Sequence, residues 1–158
     1  MAHIQLFSDD VLLYDSLGLN QSDIKKNEIN LFTPHFNYDE FFIGCTSYER
    51  KTINPNYVNN IFRLSQMLTI IRQHFGKPIN ITSCYRDNAH NKRVGGVSTS
   101  QHLTASAVDF NTSVDLFFVI DYIRKNLSFG QLIWYKSLNF IHISLPDSTH
   151  SNEYLIKD

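Results

Sequence analysis

Residues 100–110 read Ser100-Gln101-His102-Leu103-Thr104-Ala105-Ser106-Ala107-Val108-Asp109-Phe110, and the fold turns on how this stretch is read. Ala105 to Phe110 has the make-up of a strand. Asp109 nevertheless stands inside it, flanked by Val108 and Phe110. An aspartate buried there without a partner costs on the order of several kcal/mol. A second strand, Phe140-Ile141-His142-Ile143-Ser144, carries the same anomaly, a histidine in its middle. The two-residue period groups His142 with Phe140 and Ser144, opposite Ile141 and Ile143. With His102 just upstream of the first strand, the chain offers a His, Asp, His donor set. Divalent zinc takes such donors and leaves a position for water in a catalytic site. Hydrogen bonds alone could also satisfy both polar residues, and spacing does not separate the two explanations.

The chain around these strands alternates helices and strands. Asn54 before Pro55 is a helix start. Val58, Ile61, Phe62, Leu68, Ile71 and Phe75 then recur at helical spacing, until Gly76 and Pro78 end the helix. A strand is expected over 79–83 and a short helix over 87–93, stopped by Gly95-Gly96. Ser113 is a candidate cap for a helix running through Val114, Leu116, Phe117, Ile120, Ile123 and Leu127. Strands over 131–135 and 140–144 flank the turn Lys136-Ser137-Leu138-Asn139 and should pair antiparallel. The fold class is α+β. Residues 1–34 read as an N-terminal extension, with Val11, Leu12, Leu13, Leu17 and Leu19 in a short helix. Residues 35–145 form the domain, and 146–158 a C-terminal tail.

Composition narrows the function classes. The chain has 158 residues, 42% apolar and 18% charged, which suits one folded domain. The formal charge of −1 gives no basic excess for a nucleic acid. No apolar run approaches the ~20 residues of a membrane span. The start, MAHIQLFSDD, lacks the cationic and apolar regions of a signal peptide, so cytoplasmic synthesis is expected. Cys45 and Cys84 make no CxxC pair and no disulfide framework. Among the other histidines, His74 reads as a surface or capping residue, His90 as part of a polar loop or short helix, and His3 and His150 as solvated.

In order along the chain stand Ser83-Cys84-Tyr85-Arg86, Asn91 with Val94-Gly95-Gly96, the 100–109 stretch, and Phe140-Ile141-His142. Together these resemble the zinc D-Ala-D-Ala carboxypeptidases, whose fold is shared with the Hedgehog signalling domain, and among them the small phage-encoded members. His35-Phe36 and Asp39-Glu40-Phe41-Phe42 resemble that family's N-terminal entry. The likeness covers about residues 35–145. It implies a small, mostly antiparallel sheet packed on helices, with Zn2+ on His102, Asp109 and His142. It implies that Arg86 lies beside the metal and steadies the oxyanion. It also implies substrate contacts from Ser100, Gln101 and Tyr135, although turn formation explains Ser100 and Gln101 equally well. The implied substrate is peptidoglycan or its stem peptides. The protein would be virion-associated or released at lysis, with residues 1–34 available to a virion or other protein partner.

Three positions depart from the family pattern. Cys84 and Ala105 replace glycines, which matters where the backbone has positive φ. Cys84 reads as a small buried residue or as an oxidisable thiol. The family also places an acidic general base shortly before the last histidine, whereas residues 131–142 contain no Asp or Glu. Tyr135, Lys136 and Asn139 stand near that place. The alternative to an active peptidase is therefore an impaired member that binds cell wall or serves as a structural or interaction protein.

Overall fold

A computed structural model describes residues 31–158 of the chain. The short helix expected over Val11–Leu19, and His3, lie outside the described residues. Two short strands, β1 (Leu31–Thr33) and β2 (Phe36–Asn37), pair antiparallel and lead into a 3₁₀ turn, Tyr38–Phe42. Helices α1 (Ser47–Thr52) and α2 (Pro55–Phe75) follow, then strand β3 (Ile79–Ser83) and helix α3 (Asn88–Arg93). A second 3₁₀ turn, Gln101–Thr104, precedes β4 (Ala107–Thr112), α4 (Leu116–Asn126), β5 (Gln131–Tyr135), β6 (Phe140–Ser144) and β7 (Glu153–Lys157). The five-stranded sheet has the order β3-β4-β6-β5-β7. Its pairs are antiparallel except β5 with β7, which run parallel.

Local chemistry sets the elements. In α2, the Asn54 side chain accepts from Asn56 N at 3.0 Å and Pro55 occupies the first turn. Gly76 ends the helix at φ 63°, its N–H bonded to Arg72 O. Val58, Ile61, Phe62, Leu64, Leu68 and Ile71 form its buried face. They pack with Val108, Phe110, Leu132, Ile141 and Ile143 of the sheet, and with Val119, Ile120 and Ile123 of α4. One face of the sheet is thus core. No helix among the described residues is long and apolar enough to cross a membrane.

Three boundaries differ from the sequence expectation. The strand expected from Ala105 begins at Ala107, because Ala105 sits in the left-handed region at φ 53° and closes the second 3₁₀ turn. The α4 cap is Asp115, whose side chain accepts from Phe117 N at 2.9 Å, and not Ser113. Within residues 146–158, read as a tail, Glu153–Lys157 is the edge strand of the sheet. Of the two replaced glycines, only Ala105 has positive φ; Cys84 does not.

Ala105 is fully buried as well as left-handed. Ala105→Val should therefore lower stability by about 2–4 kcal/mol, from left-handed strain and overpacking together. Ala105→Gly should fold at near wild-type stability. Denaturant unfolding of the two variants checks both outcomes.

Candidate metal centre

The register of the central strands assembles the site. Across β3, β4, β6, β5 and β7 the partnered positions are Ser83, Asp109, His142, Ile133 and Leu155. They form a row on the face of the sheet opposite the core, and four of them, all but Ser83, line a cleft of about 480 Å³. Asp109 and His142 are direct cross-strand partners, which explains both mid-strand polar residues at once. The 3₁₀ turn Gln101–Thr104 brings His102 over the end of β4.

Three donor atoms converge there. Asp109 Oδ1 lies 3.2 Å from His102 Nε2 and 2.8 Å from His142 Nδ1. All three residues are buried, at 4%, 8% and 8% exposure for His102, Asp109 and His142. His102 Nδ1 lies 2.6 Å from the Cys84 carbonyl. A carbonyl only accepts, so Nδ1 carries a proton and Nε2 is the nitrogen that faces Asp109, donating to the carboxylate when protonated and offering its lone pair to a metal when not. His142 Nε2 faces Gln101 Oε1 at 3.4 Å, an acceptor for the proton when Nδ1 is left free. Both imidazoles can therefore turn a lone pair toward Asp109, as metal ligation requires. Burial raises the Asp109 pKa, but hydrogen bonds and positive charge from the two histidines outweigh it and hold the carboxyl well below its usual range. The residues fit a metal ion: two imidazole nitrogens and a carboxylate oxygen within 4.8 Å of one another.

Arg86 Nη2 lies 3.4 Å from Asp109 Oδ2, and its Nε donates to Ser83 Oγ at 2.9 Å. Its backbone N–H donates to His102 O at 3.1 Å, which ties the arginine to the histidine turn. Ser100 Oγ accepts from His102 N at 3.3 Å, so it caps that turn. Gln101 supports His142 and donates from Nε2 to Asp147 Oδ2 at 3.3 Å. Tyr135 lines the cleft, stacked on Phe140 with 4.4 Å between ring centroids. Cys84 is fully buried and burial pushes its thiol up, which matches the small buried residue and not an oxidisable thiol.

The Asn91 and Gly95-Gly96 pattern shapes the rim. Gly95 takes φ 74°, and a Cβ on Gly96 would stand 2.0 Å from Asn91 Oδ1. Asn91 Nδ2 in turn donates to Val97 O at 2.9 Å and holds the rim loop to α3.

His150, read from the sequence as solvated, lines the cleft. Its Nδ1 is 3.5 Å from Gln101 Nε2 and 3.4 Å from Asp147 Oδ1, and its Nε2 is 3.8 Å from Glu153 Oε2. Only the placement of β7 beside β5 puts it there, so no local pattern could have marked it. His74 is exposed and stacks on Tyr122.

Comparison with known proteins agrees with this arrangement. A family model described as Peptidase M15 matches residues 34–144. The chain belongs to the M15 peptidase family. M15 enzymes are zinc peptidases of the D-Ala-D-Ala carboxypeptidase-like kind, and the match spans every residue of the His102, Asp109, His142 cluster. A search of curated proteins finds no match to the chain.

Two variants probe the M15 centre. Asp109→Ala should lower the zinc bound per chain by one, measured by metal analysis of the purified protein. Gln101→Leu removes the acceptor facing His142 Nε2 and should weaken zinc affinity about 10–100-fold in a chelator competition.

Proposed function

We propose that the protein is a zinc metallopeptidase acting on peptidoglycan stem peptides, of the D-Ala-D-Ala carboxypeptidase or endolysin type, built on the Hedgehog/DD-peptidase fold. The observation that carries this reading is the convergence of His102 Nε2, Asp109 Oδ1 and His142 Nδ1 beside Arg86 in one cleft. Zinc held by those three residues would lower the pKa of its bound water toward ~7 and polarise the scissile carbonyl. Asp109 holds Arg86 next to that position, where the guanidinium stabilises negative charge developing on the carbonyl oxygen. Tyr135, Phe140, Ile133 and Leu155 give the cleft an apolar side suited to small alkyl side chains such as that of D-Ala. Such an enzyme would be made in the cytoplasm and reach its substrate at lysis or on a virion, with the N-terminal extension as the place for a protein partner.

One observation favours a second reading. The β5–β6 hairpin holds no carboxylate, and Tyr135, Lys136 and Asn139 stand where the family's general base is expected. A positioned base contributes about 10²–10⁴-fold in rate. Without one, the fold and metal would serve cell-wall binding or a structural role.

The test is to incubate zinc-loaded protein with peptidoglycan and with synthetic stem peptides ending in D-Ala-D-Ala, and to read the products by mass spectrometry. A defined fragment is expected. It should vanish in His102→Ala and form about 10²–10³-fold more slowly in Arg86→Ala. No fragment from zinc-loaded wild-type protein would establish the second reading.

A further inference from the structure

A second cluster of donor side chains lies outside the cleft, where the loop after the Tyr38–Phe42 turn meets α1 and α3. Cys45 Sγ stands 3.8 Å from His90 Nδ1, and His90 Nδ1 stands 2.8 Å from Glu49 Oε1. All three donor atoms lie within 4.8 Å of one another. Glu49 and His90 are buried, at 2% and 6% exposure, and Cys45 is half-buried.

Each donor is placed by its own local device. Gly44, at φ 77°, reverses the chain and brings its backbone against the His90 ring, so that the next residue, Cys45, faces the imidazole. Thr46 caps α1 in a capping box, and its N–H holds Glu49 Oε2 at 2.7 Å. That leaves Glu49 Oε1 turned toward His90. Asp87 caps α3 and accepts from His90 N at 2.8 Å, which fixes the histidine in the first turn. Three elements thus deliver a thiol, a carboxylate and an imidazole to one point.

We propose that Cys45, Glu49 and His90 form a second metal site, which takes a thiophilic divalent cation of the zinc class. The mixed sulfur, nitrogen and oxygen donors are those zinc selects. Tetrahedral zinc, with Zn–S ~2.3 Å and Zn–N ~2.0–2.1 Å, separates its sulfur and nitrogen ligands by roughly 3.6 Å, close to the distance between Cys45 and His90. On binding, the Cys45 thiol proton passes to solvent and the His90 proton moves from Nδ1 to Nε2, so that thiolate and carboxylate neutralise the dication beside a neutral imidazole. The half-exposed side at Cys45 admits a water as fourth ligand. Without a cation, burial and the neighbouring Glu49 carboxylate push the Cys45 thiol up to about 12. Its S–H then donates to Tyr85 O at 3.1 Å. The site shares no residue with the cleft, and it stands or falls independently of any peptidase activity. A metal there would clamp the segment before α2 to the start of α3, immediately after Arg86.

Cobalt titration of the metal-free full chain tests this. Thiolate bound to Co2+ gives a near-ultraviolet charge-transfer band, and the His102, Asp109, His142 site contains no sulfur. Wild-type protein should bind two Co2+ per chain, with the band saturating at one equivalent. Asp109→Ala should bind one and keep the band, whereas Cys45→Ser should bind one and lose it. His90→Gln, expected to lose the band as well, replaces Cys45→Ser if that variant fails to fold by circular dichroism. A wild-type chain that saturates with no thiolate band overturns the site. So does a band that survives in a folded Cys45→Ser or His90→Gln variant.

Discussion

Asp109 and His142 face each other across antiparallel strands β4 and β6, and much of the structure depends on that register. A buried carboxylate needs hydrogen-bond donors or positive charge on every open side. The sheet supplies them: His142 from the neighbouring strand, His102 from the turn before β4, and Arg86 from the segment after β3. A one-residue slip would turn Asp109 toward Ile61, Leu68 and the other residues of the helical layer. The apolar residues on the opposite face of the same strands, Val108, Phe110, Ile141 and Ile143, therefore hold the register that builds the site.

The surroundings of the pair serve the same geometry. His102 is fixed at both ends, with Nδ1 on the Cys84 carbonyl and its backbone carbonyl on Arg86 N–H. Gln101 links His142 to the β6–β7 connection through Asp147. Gly96 lies so close to the Asn91 amide that a Cβ there would displace it from Val97 O, the bond that holds the rim loop beside the cleft. Burial, tautomer choice and loop path thus work together to present two nitrogen lone pairs and a carboxylate to one point.

Much of this was legible in the sequence because it is local. Asn54-Pro55 and Gly76 mark the ends of α2, and the mid-strand Asp109 and His142 announce an unusual environment by violating the pattern of their own strands. What was not legible depends on contacts distant along the chain. Strand β7 is short and partly exposed, and it exists because it pairs parallel with β5, some twenty residues earlier. That pairing moves His150 and Lys157 from an apparent tail to the wall of the cleft. The left-handed Ala105 delayed β4 by two residues; the Ala-Ser-Ala run itself carries no sign of positive φ, and only the glycine of the family pattern at that place hinted at it. Cys45, Glu49 and His90 looked unrelated, because Glu49 and His90 are 41 residues apart and only the packing of α1 against α3 joins them.

The central claim is that His102, Asp109 and His142 bind zinc through particular atoms. The most direct measurement is anomalous diffraction at the zinc edge from crystals of the zinc-loaded protein. The account predicts a strong peak bonded to His102 Nε2, an Asp109 carboxylate oxygen and His142 Nδ1, with Arg86 beside it. A zinc-loaded crystal with no peak at that position, and with Asp109 still hydrogen-bonded to the two histidines, would contradict it.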